Sequence, residues 1–188
     1  MSTSEITKYK SWSKLKKQMS DLLCDSLKDK ITYFYTTYHE VHNAYGRATV
    51  NYMKKELISC SWDQGYSQRK DIIEQYKKME NVPSALEDFE GHMKAYNIAY
   101  DNASKEVWMP ECKLCEYNFL SAITTYLNTD VEGSINSDNY LLRIFAYMDR
   151  RVGKRTLLKI KDEMQTLPAW VRQFYLIRCE ADGIEQGD

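Results

Sequence analysis

The sequence predicts one α+β domain, in which a small three-stranded antiparallel sheet near the N-terminus packs with helices and the C-terminal two-thirds is mainly α-helical. Three observations support this prediction. Residues 31–62 are rich in β-branched and aromatic side chains that alternate along the chain, as in strands. After residue 65 the apolar residues recur with a period of 3.6, which is typical of amphipathic helices. The 188 residues include only seven Gly and three Pro, so few interruptions of regular structure are expected.

The N-terminal part, residues 1–65, predicts one helix followed by a meander. A stripe of apolar residues at helical spacing predicts the helix over residues 13–27. Strands are predicted over residues 31–38, 47–52 and 57–62. Because no crossover helix separates these strands, they are expected to pair antiparallel.

Residues 66–181 predict the helical part of the domain. Signals that start a helix occur at Ser84 with Glu87, Pro110, Asp138 and Pro168. Gly153 is expected to end a helix over 138–152, and another helix is expected over 154–165. An apolar stripe after Pro83 is expected to face the core and comprises Leu86, Phe89, Met93, Tyr96 and Tyr100. Residues 182–188 are expected to form a frayed tail.

The composition predicts a protein without a membrane-spanning segment, a signal peptide or a disulfide framework. No apolar run approaches the roughly 18 residues that cross a bilayer, and the polar N-terminus has no signal-peptide pattern. Five cysteines, an odd number scattered along the chain, favour reduced thiols and a cytoplasmic location. Fifteen Tyr against five Phe are typical either of a core with polar edges or of a binding surface.

Several short stretches resemble a known family. They are WSKLK and LLCDSLK within residues 12–28, GRATV at 46–50, DRRVGKR at 149–155 and FYLIR at 174–178. By these motifs the chain resembles a family of uncharacterised bacterial proteins of about this length. The resemblance implies a bacterial, cytosolic, single-domain protein and no known activity. It also implies a Gly-containing turn between the second and third strands, where this chain has residues 52–55 without Gly, so the register of that hairpin is left open.

Cys112 and Cys115 form a C-x-x-C pair that permits three interpretations. Such a pair supplies two of the four ligands of a structural zinc ion. The remaining zinc ligands would have to come from His92, Cys60 or Cys179. A redox motif is the second interpretation, although the βαβ context of such motifs is missing. The third is a buried helical stripe, formed by Cys112, Cys115, Phe119, Ile123 and Tyr126, in which the thiols act as small apolar groups.

Motifs of known catalytic sites are absent from the sequence. It contains no G-x-S-x-G elbow, P-loop or G-x-G-x-x-G fingerprint. Only three histidines occur, and His39 and His42 would point to opposite faces of a strand. We therefore predict no catalytic residue and no cofactor. A cryptic enzyme site near Tyr33, Tyr35 and Glu40 is kept as an alternative.

Positive charge is concentrated near both ends of a chain whose net charge is −1. Residues 8–17 hold five Lys and no acid, and residues 143–161 hold seven cations against Asp149, a net +6. The candidate binding residues in the second cluster are Arg143, Tyr147, Arg150, Arg151, Lys154 and Arg155. Arg guanidinium groups beside an aromatic ring suit carboxylate or phosphate groups. Alternatively, these cations pair with internal acids or stabilise a helix C-terminus.

These observations predict a non-enzymatic binding, adaptor or regulatory protein that engages an acidic protein partner. The alternatives are nucleic-acid binding through the basic face 143–161 and a cryptic enzyme or zinc site. No membrane association is expected. The sequence leaves the oligomeric state open.

Overall fold

The computed structural model describes residues 11–36, 46–61 and 66–185, except for the side chains of residues 66–69. The strands are β1 (Ile31–Thr36), β2 (Arg47–Tyr52) and β3 (Lys55–Ser61). The helices are α1 (Trp12–Leu22), α2 (Tyr66–Met79), α3 (Phe89–Ala103), α4 (Glu116–Tyr126), α5 (Val131–Ile135), α6 (Tyr140–Met148), α7 (Lys154–Lys159) and α8 (Ala169–Ala181). A π-helical turn (Ser104–Trp108) follows α3, and a 3₁₀-helix (Asp162–Thr166) precedes α8. This architecture confirms the predicted α+β class.

The three strands form one antiparallel sheet in the order β1-β2-β3, as predicted. The β2–β3 hairpin, whose register the sequence left open, pairs Tyr52 with Lys55 around a two-residue turn. Met53 and Lys54 adopt positive φ angles of 49° and 68° there. Two successive residues with positive φ define the turn whose twist matches a hairpin, so Met and Lys take the conformation that glycine adopts more readily. A register shift between Val50 and Asn51 follows.

The first helix is shorter than predicted. It ends at Leu22, not at residue 27, because the backbone N–H of Cys24 donates to Met148 O (3.0 Å) instead of continuing the helix. Leu27 is nevertheless buried in the turn that leads to β1. The end of the predicted first strand, at residues 37–38, and the last residue of the predicted third strand, Trp62, lie outside the described residues.

The chain between β3 and α4 makes a helical excursion, a name we use for residues 66–111. The capping-box prediction at Ser84 is wrong, because Asp88 caps α3 by accepting from Gly91 N (2.9 Å). The predicted apolar stripe does not face the core: Leu86 is 99% exposed and Phe89 67% exposed. Helix α2 packs against α3, and none of its described side chains is buried.

Helix α4 begins later than predicted. Pro110 lies in a turn after the π-helical segment, and α4 starts at Glu116. Cys112 has a φ of 54°, so it lies outside the helix, and Cys115 is the residue that caps it. The predicted helical stripe is therefore wrong at both cysteines. Its remaining members, Phe119, Ile123 and Tyr126, are buried on α4 as expected.

The C-terminal helices differ from the prediction at their ends. Asn139, not Asp138, caps α6, and α6 ends at Met148 rather than at residue 152. Gly153 precedes α7 with a φ of −84°, so it begins a helix and does not supply the left-handed C-cap that was expected. Pro168 opens the last helix as predicted.

The core joins the inner face of the sheet to α1, α4, α6 and α8. Phe145 of α6 lies at its centre, and its ring contacts those of Tyr33, Phe119 and Tyr126 edge-on at centroid distances of 5.6–6.2 Å. Packing continues beyond α8, since Ile184 is buried. None of the helices in the described ranges is both long and apolar enough to cross a bilayer.

Candidate binding surface

The segment that joins α6 to α7, residues 149–153, is organised around a buried carboxylate. Asp149 accepts hydrogen bonds from Tyr126 Oη (2.6 Å) and from Arg151 N (2.7 Å). The Arg151 guanidinium donates twice more, through Nε (3.0 Å) and Nη2 (2.7 Å), and lies 5.8 Å from the centroid of the Tyr126 ring. Because charge-assisted bonds fix both position and orientation, Arg151 is held in one direction.

A second arginine, on α8, binds the backbone of the same segment. Arg178 of α8 is buried and donates to the carbonyl oxygens of Tyr147, Asp149 and Val152 at 2.8–2.9 Å. Its Nε donates to Asp182 Oδ2 (2.8 Å). These bonds satisfy carbonyl groups that the end of α6 leaves without helical partners. A tail residue thus takes part in the packing, although residues 182–188 were expected to be frayed.

The segment also pairs with the N-terminal part of the chain. Leu23 and Asp149 form an isolated antiparallel bridge, in which Arg150 N donates to Leu22 O (2.8 Å). Arg150 is thereby placed beside the end of α1. This contact brings together the chain segments that carry the two basic clusters of the sequence.

Two of the predicted binding residues are not available at the surface. Tyr147 is fully buried, which contradicts the prediction that it is a binding residue at the surface. The cause is that α6 is covered by α4, α5 and α8, so it has no continuous polar face. Arg143 is largely buried, donates from Nε to Ser137 O (2.6 Å) and lies 3.9 Å from Glu163. Burial raises the pKa of Tyr147, and the nearby Arg143 opposes that rise.

The other four predicted residues are exposed. Arg150 and Arg155 have no ion pair within the described part of the chain. Lys154 Nζ donates to Asp182 O (2.6 Å), and Arg151 pairs with Asp149. We call these four residues, Arg150, Arg151, Lys154 and Arg155, the junction surface. The alternative that a cation of this cluster pairs with an internal acid therefore holds for Arg151, whose partner is Asp149.

Two clefts flank Arg151. The smaller, of about 280 Å³, is lined by Gln18, Asp21, Leu22, Leu127, Arg150 and Arg151. The larger, of about 400 Å³, lies between α5 and α7 and has apolar walls at Val131, Ile135, Val152 and Ile160. Arg151 and Lys159 bring positive charge to the larger cleft, and Glu132 and Glu163 bring negative charge. The smaller cleft holds two arginines against one acid, so it is the better receptor for an anion.

Lysines of α1 extend the positive charge around the smaller cleft. Lys14, Lys16 and Lys17 are exposed and have no ion pair with any residue the structure describes. Lys14 lies one helical turn before Gln18, and Lys17 one turn before Asp21, so both share the helix face that lines the cleft. Lys8 and Lys10 are outside the described residues.

The buried network shifts the pKa values of several of its members. Burial and the hydrogen bond to Asp149 raise the pKa of Tyr126 well above its usual range. The Asp149 carboxylate raises the pKa of Arg151. Burial raises the pKa of Asp182, but the bonds from Ser26 and Arg178 outweigh it and the net pKa is lowered. At neutral pH, Tyr126 is therefore neutral, Arg151 is positive and Asp182 is negative.

Cys112 and Cys115 each have a different hydrogen-bond partner, an arrangement that neither the zinc nor the redox interpretation of the C-x-x-C pair predicts. Cys112 shares a hydrogen bond with Cys60 of β3, and Cys115 Sγ donates to Asn118 Oδ1 (2.9 Å). No group of three or more His, Cys, Asp or Glu side chains within the described residues is placed to hold a metal ion. His92 bonds to Pro83 O (2.8 Å), remote in sequence from the thiols. His39 and His42, like Glu40 of the cryptic-site hypothesis, lie outside the described residues.

Sequence reasoning missed Tyr126, Arg178 and Asp21 as parts of this region. Each is separated by more than 20 residues from Asp149 along the chain. A helical or strand periodicity relates only residues within one element, so it cannot show that residues this far apart are in contact. The one local signal was the spacing of Asp149 and Arg151, because a short acid two residues before an arginine can bond to that arginine's backbone N–H.

Comparison with known proteins identifies a family without a named activity. No curated protein and no solved structure matches the chain significantly. A family match covers residues 11–179, which includes the sheet, the excursion and the α6–α7 segment. The chain therefore belongs to the SF0329 protein family.

Proposed function

We propose that this protein is a non-enzymatic binding or adaptor protein that engages an acidic segment of another protein through the junction surface. The observation that supports the proposal is the bridge between Leu23 and Asp149, which places Arg150 and Arg151 in one cleft with the end of α1, the helix that carries Lys14, Lys16 and Lys17. Arg150 and the lysines of α1 remain exposed there without a described ion pair. Such clustered positive charge attracts acidic partners and accelerates their association.

Arg151 supplies the specificity in this proposal. Its Nε and Nη2 groups are occupied by Asp149, and its side chain is still 42% exposed. A guanidinium that is already oriented loses little conformational entropy on binding, so it strengthens a carboxylate contact more than a freely moving side chain does. The adjoining Leu22 and Leu127 would receive an apolar side chain next to the bound acid.

Charge reversal of the junction surface tests the proposal. We would measure binding of a fluorescein-labelled peptide of eight glutamates to the full chain and to Arg150→Glu/Arg155→Glu. We expect the affinity to fall at least about tenfold in the variant and to weaken with added salt. The matched control, Lys54→Glu/Lys55→Glu, reverses two exposed lysines at the β2–β3 turn. An equal loss in both variants would refute a local site.

Co-purification from the native host extends the test to the real partner. Under gentle, low-salt conditions the wild-type chain should retain an acidic protein. The Arg150→Glu/Arg155→Glu variant should not retain it. Recovery of no partner under these conditions would contradict the proposal. We place the interaction in a bacterial cytoplasm, a location that the five free cysteines favour.

Nucleic-acid binding is the second candidate, because the same cations suit phosphate groups. Acids that line both clefts, Asp21 in one and Glu132 with Glu163 in the other, disfavour a long polyanion. A 20-nucleotide single strand of DNA or RNA provides the test. If it binds more tightly than the glutamate peptide, with affinity that falls steeply with salt, the second candidate replaces the first.

A further inference from the structure

The base of the excursion holds a pair of thiols that the binding function does not use. Cys60 lies near the end of β3, where the chain leaves the sheet, and Cys112 lies in the turn by which the chain returns to α4. The two thiols share a hydrogen bond, although 51 residues separate them in the sequence. All five cysteines of the chain are free.

The surroundings distinguish this pair from the other cysteines. Cys60 is fully buried and Cys112 is half-buried, so one thiol is shielded while the other is reachable from solvent. Cys115 is engaged with Asn118 as the cap of α4, and Cys24 contacts Ser26 (3.2 Å). Cys112 also holds a φ of 54°, a conformation that a residue with a side chain keeps only where its surroundings fix it.

A buried carboxylate lies beside the pair. Glu116 is 4% exposed, and its Oε2 has no hydrogen-bond partner within the described residues. Its side chain packs over Gly46, where an added Cβ would lie 2.8 Å from Glu116 Cγ. The hydrogen bond to Cys112, burial, Cys115 and Glu116 all raise the pKa of the Cys60 thiol. The buried Cys60 thiol therefore keeps its proton at neutral pH, and the half-buried Cys112 is the thiol of the pair that an oxidant in solvent reaches first.

We propose that Cys60 and Cys112 form a reversible dithiol–disulfide pair that ties the base of the excursion to the sheet. The oxidant is a low-molecular-weight disulfide such as oxidised glutathione. The Cys112 thiolate attacks one sulfur of that disulfide, whose S–S bond breaks and releases one thiolate. Cys60 then gives up its proton and attacks the Cys112 sulfur in the mixed disulfide, and the second small thiol leaves. The protein loses two electrons and two protons, and the oxidant is reduced to two thiols.

This disulfide bond would restrict how far the two ends of the excursion can move apart. A Cys60–Cys112 disulfide would close a loop that contains all of α2 and α3, so the two ends of the excursion could no longer separate. Cross-links that close long loops restrict the unfolded chain most. The pairing also replaces the C-x-x-C interpretation of the sequence, because the partner of Cys112 comes from β3 and not from Cys115.

The test uses the full chain equilibrated with glutathione buffers of increasing oxidised fraction, followed by alkylation, digestion and mass spectrometry. We expect a Cys60–Cys112 link that dithiothreitol reverses, and a melting temperature higher by about 5 °C or more in the linked protein. Cys24→Ala should form the same link, whereas Cys112→Ser should form none and show no oxidation-dependent shift. Mapping in the wild type needs no variant, so it decides even where a variant fails to fold.

Three outcomes would overturn the proposal. The first is a reduced Cys60 at every glutathione ratio. The second is a link between Cys112 and Cys115. The third is a stoichiometric zinc ion in the purified protein that protects both thiols from alkylation, because zinc needs the thiolates that a disulfide consumes.

Discussion

The α6–α7 segment and the excursion differ in which side chains they bury and which they expose. In the first, charged groups are inside and paired: Asp149 and Arg178 are buried and hydrogen-bonded through nearly all their polar atoms. In the second, apolar groups are outside: Phe89, Met93 and Leu86 face solvent on or beside α3. Burial of paired charge fixes one geometry, whereas exposed apolar surface contributes little to stability. We call the described residues outside the excursion, 11–36, 46–61 and 112–185, the body. We infer that the stability of the molecule resides in the body and that the excursion is its least stable part.

The same substitution in the two regions should reveal the largest contrast. Phe145→Ala removes a ring that three other aromatic rings contact, so we expect the free energy of unfolding to fall by about 3–5 kcal/mol. Phe89→Ala, in the excursion, should change it by less than about 0.5 kcal/mol because the ring is already in water. Urea unfolding followed by circular dichroism measures both. Equal losses would show that the excursion is part of the cooperative core.

Removal of the buried charge should have the next largest effect. Asp149→Asn keeps the shape but weakens the bonds from Arg151 and Tyr126, and we expect a loss of about 2–3 kcal/mol, since the exposed part of Arg151 can turn to water. Asp25→Asn removes an acid from an exposed pair with Lys28, and we expect a much smaller loss of stability because water screens exposed ion pairs. Urea titration at pH 7 compares them. A loss at Asp149 no larger than at Asp25 would mean that the network does not hold the segment.

Alkaline pH should unfold the body through its buried tyrosines. Burial raises the pKa of Tyr33 and Tyr126 far above 10, so above pH 10 these side chains ionise in the unfolded chain only. The unfolded state then binds fewer protons, and stability falls as pH rises, by about 1.4 kcal/mol per pH unit for each tyrosine. Tyr126→Phe should therefore show a shallower decline between pH 10 and 12 than the wild type. Parallel declines would place Tyr126 in contact with solvent.

The body was more predictable from the sequence than the excursion. Strand β2 matches its predicted bounds, because its β-branched and aromatic residues favour extended backbone locally. The stripe from Leu86 to Tyr100 was misassigned, since a helical period shows that one face is apolar but not that a neighbour covers it. Likewise, Tyr147 was placed on the surface because neither the length of α6 nor its burial on almost every side is visible in a local pattern.

The candidate site was predictable in composition and not in geometry. The exposure of Arg150 and Arg155 agrees with the expectation for the basic cluster. The contact between this cluster and α1, however, depends on the bridge between Leu23 and Asp149, which are 126 positions apart in the sequence. Gly153 shows the same limit. Two tertiary hydrogen bonds, one that Arg178 donates to Asp149 O and one that Leu22 O accepts from Arg150 N, end α6 five residues before the glycine that was expected to terminate it.

Two helix caps allow the finest comparison of the regions. Asp88 caps α3 in the excursion and Asp130 caps α5 in the body, and each accepts from a glycine N–H three residues later. Loss of such a cap costs about 1 kcal/mol. If the excursion opens separately from the body, Asp88→Ala should accelerate amide exchange in α3 about fivefold and leave the global free energy of unfolding unchanged. Asp130→Ala should lower that global value by about 1 kcal/mol instead. Native-state hydrogen exchange with mass spectrometry separates the two, and a global loss from Asp88→Ala would show that excursion and body unfold as one unit.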